Sequence, residues 1–303
     1  MEDKSMSNVF HPKVSVIIPC YNREQYISET IHSVLSQTWP NIELIVVDDG
    51  SSDSSRAVLE SFGSRLQILE HPGRTNLGQS AAINMGIQNS SGEYVAILDS
   101  DDLFAPDKIE KQVYFLEQNP QFGLVYSNCI SIDENGGELH KMYFPGHKPP
   151  SGPEQVLVEC CFNVPSNSLF RRDIYEKVGF FDETLRSAQD HDYAVRIAEI
   201  TRVGYIDECL WNYRRHGGSI SHTRTLERWM NGFKILNAAC KRYPYPTGTV
   251  LRRKAVLHFR LGQCYLLDKR YLKSTYHLLL AGLLDPLRSL RVLTGRERLT
   301  GPQ

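Results

Sequence analysis

The sequence predicts an α/β protein with a mostly parallel central sheet, helices on both faces of that sheet, and a C-terminal helical extension. Apolar runs alternate with amphipathic stretches up to about residue 130, which is typical of strands alternating with helices. Acidic residues directly follow several of the apolar runs, and helical spacing dominates from Leu226 onward. Strand–helix alternation favours parallel pairing because each helix carries the chain back across the sheet.

The predicted elements of the first half follow one another in a regular order. Strands are expected at 14–18, 43–47, 66–69, 94–98 and 123–127. Helices are expected at 24–36, 53–62, 78–89 and 106–118. In the first helix, Leu35 is expected on the buried apolar face. Ligands of such sheets bind beyond the carboxyl ends of the strands, so residues 19–23, 48–53 and 99–102 should lie along one edge.

The second half of the chain has a less regular pattern. We expect a turn at 133–137, strands at 169–172 and 203–207, and a helix at 190–200. The later helices should break near Asp268 and at Pro244, Pro246 and Pro286. The chain is therefore expected to divide into a polar N-terminal segment (1–12), an α/β domain (13–222) and a basic helical extension (223–303).

Charge is distributed unevenly along the chain. Residues 1–222 contain 18 Lys and Arg against 31 Asp and Glu, whereas residues 223–303 contain 16 against 4. A basic extension on an acidic body indicates either docking onto that body or attraction to an anionic surface. We find no nucleic-acid-binding motif, so nucleic acid is not an expected partner.

The sequence also bears on where the protein acts. It contains no apolar run of about 18 residues, the length a transmembrane helix needs, and its polar N-terminus lacks the core of a signal peptide. Seven scattered cysteines without CxxC spacing are typical of reduced thiols. We expect a cytoplasmic protein, or one that is peripheral at the inner face of the membrane.

Three carboxylates follow the predicted strand at 94–98 within four residues, namely Asp99, Asp101 and Asp102. Burying such a cluster without partners would be costly because like charges repel. Hard oxygen ligands suit a divalent cation such as Mg²⁺ or Mn²⁺, whose open positions can take substrate phosphates. The alternative is a solvated acidic turn that caps the helix starting near Pro106.

A second acidic loop, residues 48–53, follows the second predicted strand. We assign Asp53 to helix capping and Asp49 to a ligand, since a carboxylate can accept hydrogen bonds from a base or a ribose. In the loop after the first strand, Tyr21 can stack on a base, with core packing as the alternative.

A third acidic group opens the predicted helix at 190–200. Asp190 and Asp192 are two residues apart, so they should point in different directions and serve different purposes. One of them can act as a general base if it reaches an acceptor hydroxyl. The alternative is that both stabilise the positive end of the helix.

His216 lies among arginines and glycines in the stretch Tyr213–Ser219, which suits contact with a diphosphate or completion of a metal site.

The absence of three motifs argues against several enzyme classes. Neither a P-loop nor a GxGxxG fingerprint occurs, which argues against an ATPase and a Rossmann dehydrogenase. The GxSxG elbow of serine hydrolases is also missing.

Taken together and in order, these motifs resemble those of the family 2 glycosyltransferases, inverting enzymes of the GT-A fold that use nucleotide-diphospho-sugars. The matching segments are 14–23, 46–53, 76–86, 99–102, 189–192 and 213–219. The resemblance covers about residues 12–222 and leaves out the helical extension. It implies a GT-A fold for the α/β domain. It also implies that the donor is a nucleotide-sugar, and we expect a UDP-sugar.

The resemblance also implies roles for individual residues. Those that match donor-nucleotide-binding positions are Pro19, Tyr21, Arg23, Asp49, Asp99, Asp101 and His216. Those that match metal positions, for Mn²⁺ or Mg²⁺, are Asp101, Asp102 and His216. Asp190 matches the catalytic base. The sequence departs from the family pattern at Gln189, where Glu is usual, and at Ile83, where an arginine is frequent.

The implied reaction is a single in-line displacement. Asp190 would take the proton of an acceptor hydroxyl while the cation stabilises the departing diphosphate. The expected acceptor is a saccharide or a lipid-linked saccharide in surface polysaccharide or glycan assembly. Two alternatives remain open: a non-catalytic sugar-nucleotide-binding scaffold and a nucleotidyltransferase.

The C-terminal segment 251–303 contains 11 Lys and Arg against 3 Asp and Glu, together with many leucines. A basic amphipathic helix of this kind can lie on an anionic membrane surface. The alternative is a helical hairpin packed on the α/β domain or on a second subunit, which would make the protein an oligomer.

Overall fold

The computed structural model describes residues 11–159, 162, 166–217 and 225–294. The chain divides into two compact units whose segments alternate along the sequence. The first unit takes 1–148, 163–183 and 201–215, and the second takes 149–162, 184–200 and 216–303. The predicted single boundary between 222 and 223 stays a prediction. Most of the predicted N-terminal segment, Gly218, Ser219 and residues 295–303 lie outside the described residues.

All strands that the structure describes belong to the first unit and form one sheet. They are β1 (Val14–Cys20), β2 (Ile42–Asp48), β3 (Gln67–Glu70), β4 (Tyr94–Ile97), β5 (Leu103–Phe104), β6 (Phe122–Ile132), β7 (Glu138–Lys141), β8 (Ser168–Arg171) and β9 (Arg202–Arg214). The order is β3-β2-β1-β4-β8-β6-β9-β5, and β7 pairs with β6. Strands β3, β2, β1 and β4 are parallel, as are β6 and β9, whereas β5, β7 and β8 run antiparallel to their neighbours.

The α-helices within the described ranges are numbered along the chain. They are α1 (Ile27–Leu35), α2 (Ser55–Glu60), α3 (Gln79–Gln88), α4 (Lys108–Gln118), α5 (Pro153–Val158), α6 (Arg172–Val178), α7 (Gln189–Ala198), α8 (Thr225–Arg242), α9 (Thr247–Leu267), α10 (Tyr271–Leu284) and α11 (Pro286–Leu293). Helices α1–α4 and α6 belong to the first unit, and the others belong to the second.

Helices cover both faces of the sheet in the first unit, as predicted. On one face, Val16 and Val46 belong to the same apolar cluster as residues of α1 and α4. On the other face, Ile45 and Val47 pack with Ala82 of α3. The alternation of Ile45, Val46 and Val47 between the two clusters follows from the two-residue period of a strand. Because both faces are covered, the inner strands are apolar without interruption.

Three elements differ from the sequence prediction. Helix α1 begins at Ile27 because the carbonyl of Arg23 accepts hydrogen bonds from Tyr26 and Ile27 in a turn. The prediction that Leu35 is buried is wrong: it is 38% exposed, since the buried face of α1 runs through 27, 30, 31 and 34. Strands β6 and β9 are longer than predicted because they pair with each other along most of their length.

In the second unit, α9 packs against both α8 and α10. The helices break where the sequence predicts: α8 ends before Pro244, α9 ends before Asp268, and α10 ends before Pro286. Among the described residues, no helix has both the length and the apolar character required to cross a membrane.

Candidate functional site

The loops that follow β1, β2 and β4 lie together at one edge of the sheet in the first unit. Strands β1 and β2 end level, with Cys20 opposite Asp48, whereas β4 ends earlier, with Ile97 opposite Ile17, three residues before the end of β1. Two hydrogen bonds then join the first two loops: Asn22 N donates to Oγ of Ser51 over 3.1 Å. Arg23 N donates to Oγ of Ser55 over 2.7 Å. Parallel pairing therefore brings together the loops that the sequence singled out.

An ion pair connects the first loop with the acidic turn after β4. Nε of Arg23 donates to Oδ2 of Asp101 over 3.0 Å, and the two side chains are only 20% and 14% exposed. Nη1 of Arg23 also donates to the carbonyl of Asn22 over 3.0 Å, which fixes the guanidinium in place. Two residues predicted separately to bind the donor thus interact directly at this edge.

A residue that the sequence analysis missed holds the first carboxylate of the turn. Nε2 of Gln79 donates to Oδ1 of Asp99 over 2.6 Å. Gln79 is the first residue of α3, directly after Gly78. Its position after the third strand was the available signal, because this places the start of α3 at the same edge of a parallel sheet.

Asp102 has different surroundings from Asp99 and Asp101. It is completely buried, and its two carboxylate oxygens accept hydrogen bonds from Nε1 of Trp211 (3.1 Å) and from the backbone N of Arg214 (2.9 Å). Burial, together with the nearby charges of Asp101 and Asp99, raises its pKa well above the usual value. Asp102 therefore anchors the acidic turn to β9, and the metal contact predicted for it stays a prediction.

Arg214 reinforces this anchor from the end of β9. Its side chain is buried, Nε donates to the carbonyl of Asp101 over 2.9 Å, and Nη2 donates to Glu29 on α1 over 2.7 Å. Its guanidinium also lies 5.0 Å from the ring centre of Tyr26. The sequence placed Arg214 in a stretch suited to diphosphate contact, but here it holds the backbone of the acidic turn.

Asp49 is buried and organises the loop that leads into α3. Its Oδ1 accepts a hydrogen bond from Leu77 N, and its Oδ2 accepts one from Gly78 N, each over 2.8 Å. The next residue, Gly50, has φ +77°, and a Cβ there would lie 2.5 Å from the carbonyl oxygen of Arg74. Only glycine allows the two loops to approach this closely. The contact of Asp49 with a base stays a prediction.

Two further residues predicted to bind the donor, Pro19 and Tyr21, differ in exposure. Pro19 is buried within β1, opposite Val47. Tyr21 is 44% exposed, so its ring is accessible to a planar ligand. The N-cap of α2 is Ser54, and Asp53, predicted to cap this helix, lies one residue before it, where its Oδ1 accepts a hydrogen bond from the N of Ser55 over 2.9 Å.

The residues at this edge fit a divalent cation of the kind the sequence predicts. Within the described ranges, no group of three or more His, Cys, Asp or Glu side chains converges into a complete metal site. Mg²⁺ at nucleotide sites usually takes one or two carboxylates and completes its shell with phosphate oxygens and water. Asp99 and Asp101, two carboxylates on one turn, supply a donor set of that kind.

The second unit contains the other two predicted site residues, Asp190 and His216, both half-buried. Asp190 lies in the first turn of α7, after Ala188, which has a left-handed backbone with φ +65°. Asp192 is buried and accepts a hydrogen bond from Nε of Arg196 over 2.9 Å. The two aspartates therefore have different surroundings, as their spacing predicts.

His191, between the two aspartates, secures the start of α7 within the second unit. Its Nε2 lies 2.9 Å from the carbonyl oxygen of Val156 on α5, and its Nδ1 lies 2.9 Å from Nη2 of Arg253 on α9. Burial and the positive charge of Arg253 lower the pKa of His191 well below the usual value. The ring is therefore neutral, which suits a donor on one nitrogen and an acceptor on the other.

Comparison with known proteins identifies relatives of one kind. A family model described as glycosyl transferase family 2 matches residues 15–179. An uncharacterized glycosyltransferase of Rickettsia typhi is 32% identical over 71% of this chain and 68% of its own length. One of Haemophilus influenzae is 30% identical over 87% of this chain and 84% of its own. The match to a relative in Rickettsia felis, 37% identical, covers 68% of this chain but 34% of that protein.

Solved structures agree on the fold. TarS of S. aureus, residues 1–349 in complex with UDP-GlcNAc, has a TM-score of 0.64 at 17% identity, covering 93% of this chain and 92% of that one. The mannosyltransferase PcManGT of Pyrobaculum calidifontis, in complex with GDP-Man and Mn²⁺, has a TM-score of 0.62 at 20% identity, covering 95% and 80%. These likenesses confirm the predicted GT-A fold.

Proposed function

Because the chain belongs to glycosyl transferase family 2, we propose that it transfers a sugar from a UDP-sugar to an acceptor hydroxyl with inversion at the anomeric carbon. The observation that carries the proposal is the arrangement of Arg23, Asp99 and Asp101 where the parallel strands end. This edge combines two carboxylates with a guanidinium, which suits a nucleotide diphosphate together with a cation.

The donor side of the reaction falls to the first unit. Asp99 and Asp101 would hold Mn²⁺ or Mg²⁺, which supplies charge stabilisation for a departing diphosphate when bound. Arg23 orients Asp101 through the 3.0 Å ion pair, so that the carboxylate is fixed before the donor arrives. Asp102 holds the turn that carries Asp99 and Asp101, because it accepts hydrogen bonds from Trp211 and Arg214.

The nucleotide would be recognised by the loops after β1 and β2. We assign the face of the base to the exposed ring of Tyr21, since stacking on an aromatic ring needs an accessible face. Asp49 accepts two backbone hydrogen bonds and so shapes the 76–78 segment, and we propose it as the carboxylate that contacts the base. Pro19 is buried within β1, so we propose that it supports this region from the strand.

The acceptor side of the reaction falls to Asp190 in the second unit. Asp190 lies in the first turn of α7 with a half-buried side chain, and a carboxylate within reach of an acceptor hydroxyl can take its proton. Asp192 is less suited to this role because it is buried and paired with Arg196. We therefore propose Asp190 as the general base, with His216 contacting the donor diphosphate or the cation.

The proposal for the class of acceptor rests only on the chemistry of the proposed reaction. An oxygen nucleophile activated by a single base suits a sugar hydroxyl, so we propose a saccharide or lipid-linked saccharide acceptor in surface polysaccharide or glycan assembly. The chain spans about a third of the length of the Rickettsia felis relative. Any activity that belongs to the longer protein is part of the proposal.

A thermal-shift screen followed by a product assay tests the proposed function. UDP-, GDP- and dTDP-sugars are screened with and without Mn²⁺, and we expect a UDP-sugar to raise the melting temperature most when Mn²⁺ is present. Transfer should release UDP in the presence of acceptor, whereas consumption of a nucleoside triphosphate would indicate a nucleotidyltransferase. Binding without any release of UDP would instead indicate a non-catalytic scaffold.

A further inference from the structure

The outer side of α10 exposes a continuous row of large apolar side chains. Leu272, Tyr276, Leu279 and Leu283 are 90%, 61%, 65% and 78% exposed. Their spacing of four, three and four residues places them along one side of the helix. Single exposed leucines are common on protein surfaces, but a contiguous row of this kind marks a surface that is covered in function.

The inner side of the same helix is already occupied by α9. Oγ of Ser274 donates to the carbonyl of Gly262 over 2.8 Å, and both Ser274 and Ala281 are buried. A Cβ at Gly262 would lie 2.8 Å from the side chain of Leu278, which shows how closely the two helices approach. The contact with α9 therefore uses a different side of α10 from the exposed row, and the predicted alternative, a helical hairpin packed on the α/β domain or on a second subunit, stays a prediction.

Further exposed apolar side chains lie on the two helices next to α10 in the chain. Leu287 and Leu290 on α11 are 71% and 59% exposed, on the far side of the non-helical residue Asp285. Leu267, at the end of α9, is 83% exposed. We call this surface, formed by Leu267, Leu272, Tyr276, Leu279, Leu283, Leu287 and Leu290, the leucine face.

Basic side chains flank the leucine face. Lys269, Arg270 and Lys273 are exposed at the start of α10, and Arg291 is exposed on α11. Of the acidic residues in the described part of this segment, Asp285 is used as a helix cap, because its Oδ1 accepts a hydrogen bond from the N of Arg288 over 3.1 Å. The charge beside the leucine face is therefore predominantly positive.

The positive charge beside the leucine face favours one kind of binding partner over the others. A second copy of this chain, docked through the same face, would bring the same cationic groups together, and like charges oppose such contact. An anionic bilayer offers both an apolar interior for the leucines and phosphate charge for the flanking Lys and Arg side chains. We propose that the leucine face docks on an anionic lipid bilayer, with α10 and α11 lying in the plane of the membrane interface.

Flotation of the full chain with lipid vesicles tests the proposal and does not depend on transferase activity. Phosphatidylcholine vesicles with a quarter phosphatidylglycerol are compared with phosphatidylcholine alone. Each basic residue near an anionic surface changes the partition by about fivefold, so Lys269→Gln/Arg270→Gln/Lys273→Gln should weaken binding by about 100-fold. Leu272→Ser/Leu279→Ser/Leu283→Ser should reduce flotation to near background, because it removes three of the seven apolar side chains of the leucine face.

Matched control variants distinguish binding through the leucine face from nonspecific binding through other exposed apolar residues. Phe144→Ser and Phe180→Ser change exposed apolar residues of the first unit, 80% and 52% exposed, and should leave flotation within about twofold of wild type. All substituted positions are exposed, so the melting temperatures should stay near that of wild type, which circular dichroism checks.

Three results would overturn the proposal. The first is a failure of wild type to float with either vesicle. The second is equal flotation with neutral and anionic vesicles, which would remove the role of charge. The third is a wild-type dimer in sedimentation experiments that becomes monomeric in the leucine variant, because the face would then join two copies of the chain.

Discussion

Arg253 on α9 donates a hydrogen bond through Nη2 to Nδ1 of His191, over 2.9 Å, at the start of α7. A guanidinium is always a donor, so Nδ1 must be the acceptor, and the proton of the neutral ring then lies on Nε2, 2.9 Å from the carbonyl of Val156. Nη1 of Arg253 donates to the carbonyl of Val158 over 3.0 Å. One buried arginine of the basic extension thus fixes the residue next to Asp190.

We expect Arg253→Met to lower both stability and activity. The substitution leaves Nδ1 of His191 and the carbonyl of Val158 without this donor in a buried place, which costs about 1–3 kcal/mol for each such group. Urea unfolding measures the loss, and the turnover number should fall while donor affinity is kept. Arg252→Met, an exposed neighbour on the same helix, is the control. Equal behaviour of the two variants would contradict a positioning role for Arg253.

Asp190→Asn should abolish transfer while leaving donor binding nearly intact. An amide keeps the shape of the side chain but cannot accept the proton, and a positioned base contributes about 10²- to 10⁴-fold. Turnover and the dissociation constant of UDP are measured side by side. Asp192→Asn on the same helix is the control, and it should mainly reduce stability because Asp192 pairs with Arg196. Residual activity above about a tenth of wild type would point to another base.

Removal of the cation or of Asp101 should weaken nucleotide binding. Calorimetry with UDP and Mn²⁺ should show a marked loss of affinity on addition of EDTA and in Asp101→Asn. The matched control is Asp173→Asn, which removes an exposed carboxylate paired with Lys177 on α6. If EDTA and Asp101→Asn both leave the affinity unchanged, the metal assignment is wrong.

Asp102 offers a separate test, because its proposed role is to hold the turn. Asp102→Asn should change the free energy of unfolding and its pH dependence. With a raised pKa, the folded carboxyl keeps a proton that the unfolded chain loses, so wild type loses stability as the pH rises above the ordinary Asp value. Denaturant unfolding between about pH 4 and 7 measures this slope, which the Asn variant should lack. An unchanged slope would show that Asp102 does not titrate in this way.

Lys108 on α4 should make stability depend on pH in the opposite direction. It is completely buried, its Nζ donates to Oε1 of Gln112 over 2.6 Å, and burial lowers its pKa from 10.5 to about 7. Between these values the unfolded chain binds a proton that the folded chain does not, so stability should rise with pH. Unfolding measured from about pH 7.5 to 9.5 should give a slope of up to about 1.4 kcal/mol per pH unit.

Lys108→Met should remove this slope. Lys111→Met is the control, because Lys111 lies on the same helix but is only partly buried and is paired with Asp107 and Glu208. A Lys108→Met variant that keeps the wild-type slope would assign the pH dependence to another group.

Much of the first unit could be predicted from the sequence. The strand–helix alternation fixed the order of β1–β4 and α1–α4, and parallel pairing then required the loops after β1, β2 and β4 to share an edge. The spacing of Asp190 and Asp192 likewise required different surroundings for the two side chains. These features depend on local periodicity, which a single sequence displays directly.

The different roles of the carboxylates in the acidic turn could not be predicted from local periodicity. Asp101 and Asp102 are neighbours of the same type, yet one pairs with Arg23 and the other is buried beneath Trp211 and Arg214. Trp211 is 109 residues away from Asp102 along the chain, so only the closure of the sheet onto β9 decides which carboxylate faces inward.

In the basic extension, too, some features follow from the sequence and others depend on the tertiary structure. Composition alone determined that the segment is helical, leucine-rich and positively charged. How far each leucine is exposed depends on how α10 packs on α9: Leu278, which lies against Gly262, is 36% exposed, whereas Leu279 and Leu283 are 65% and 78% exposed. Every side of a uniformly leucine-rich helix can be buried in principle, so only the tertiary contact selects the side that is left for a partner.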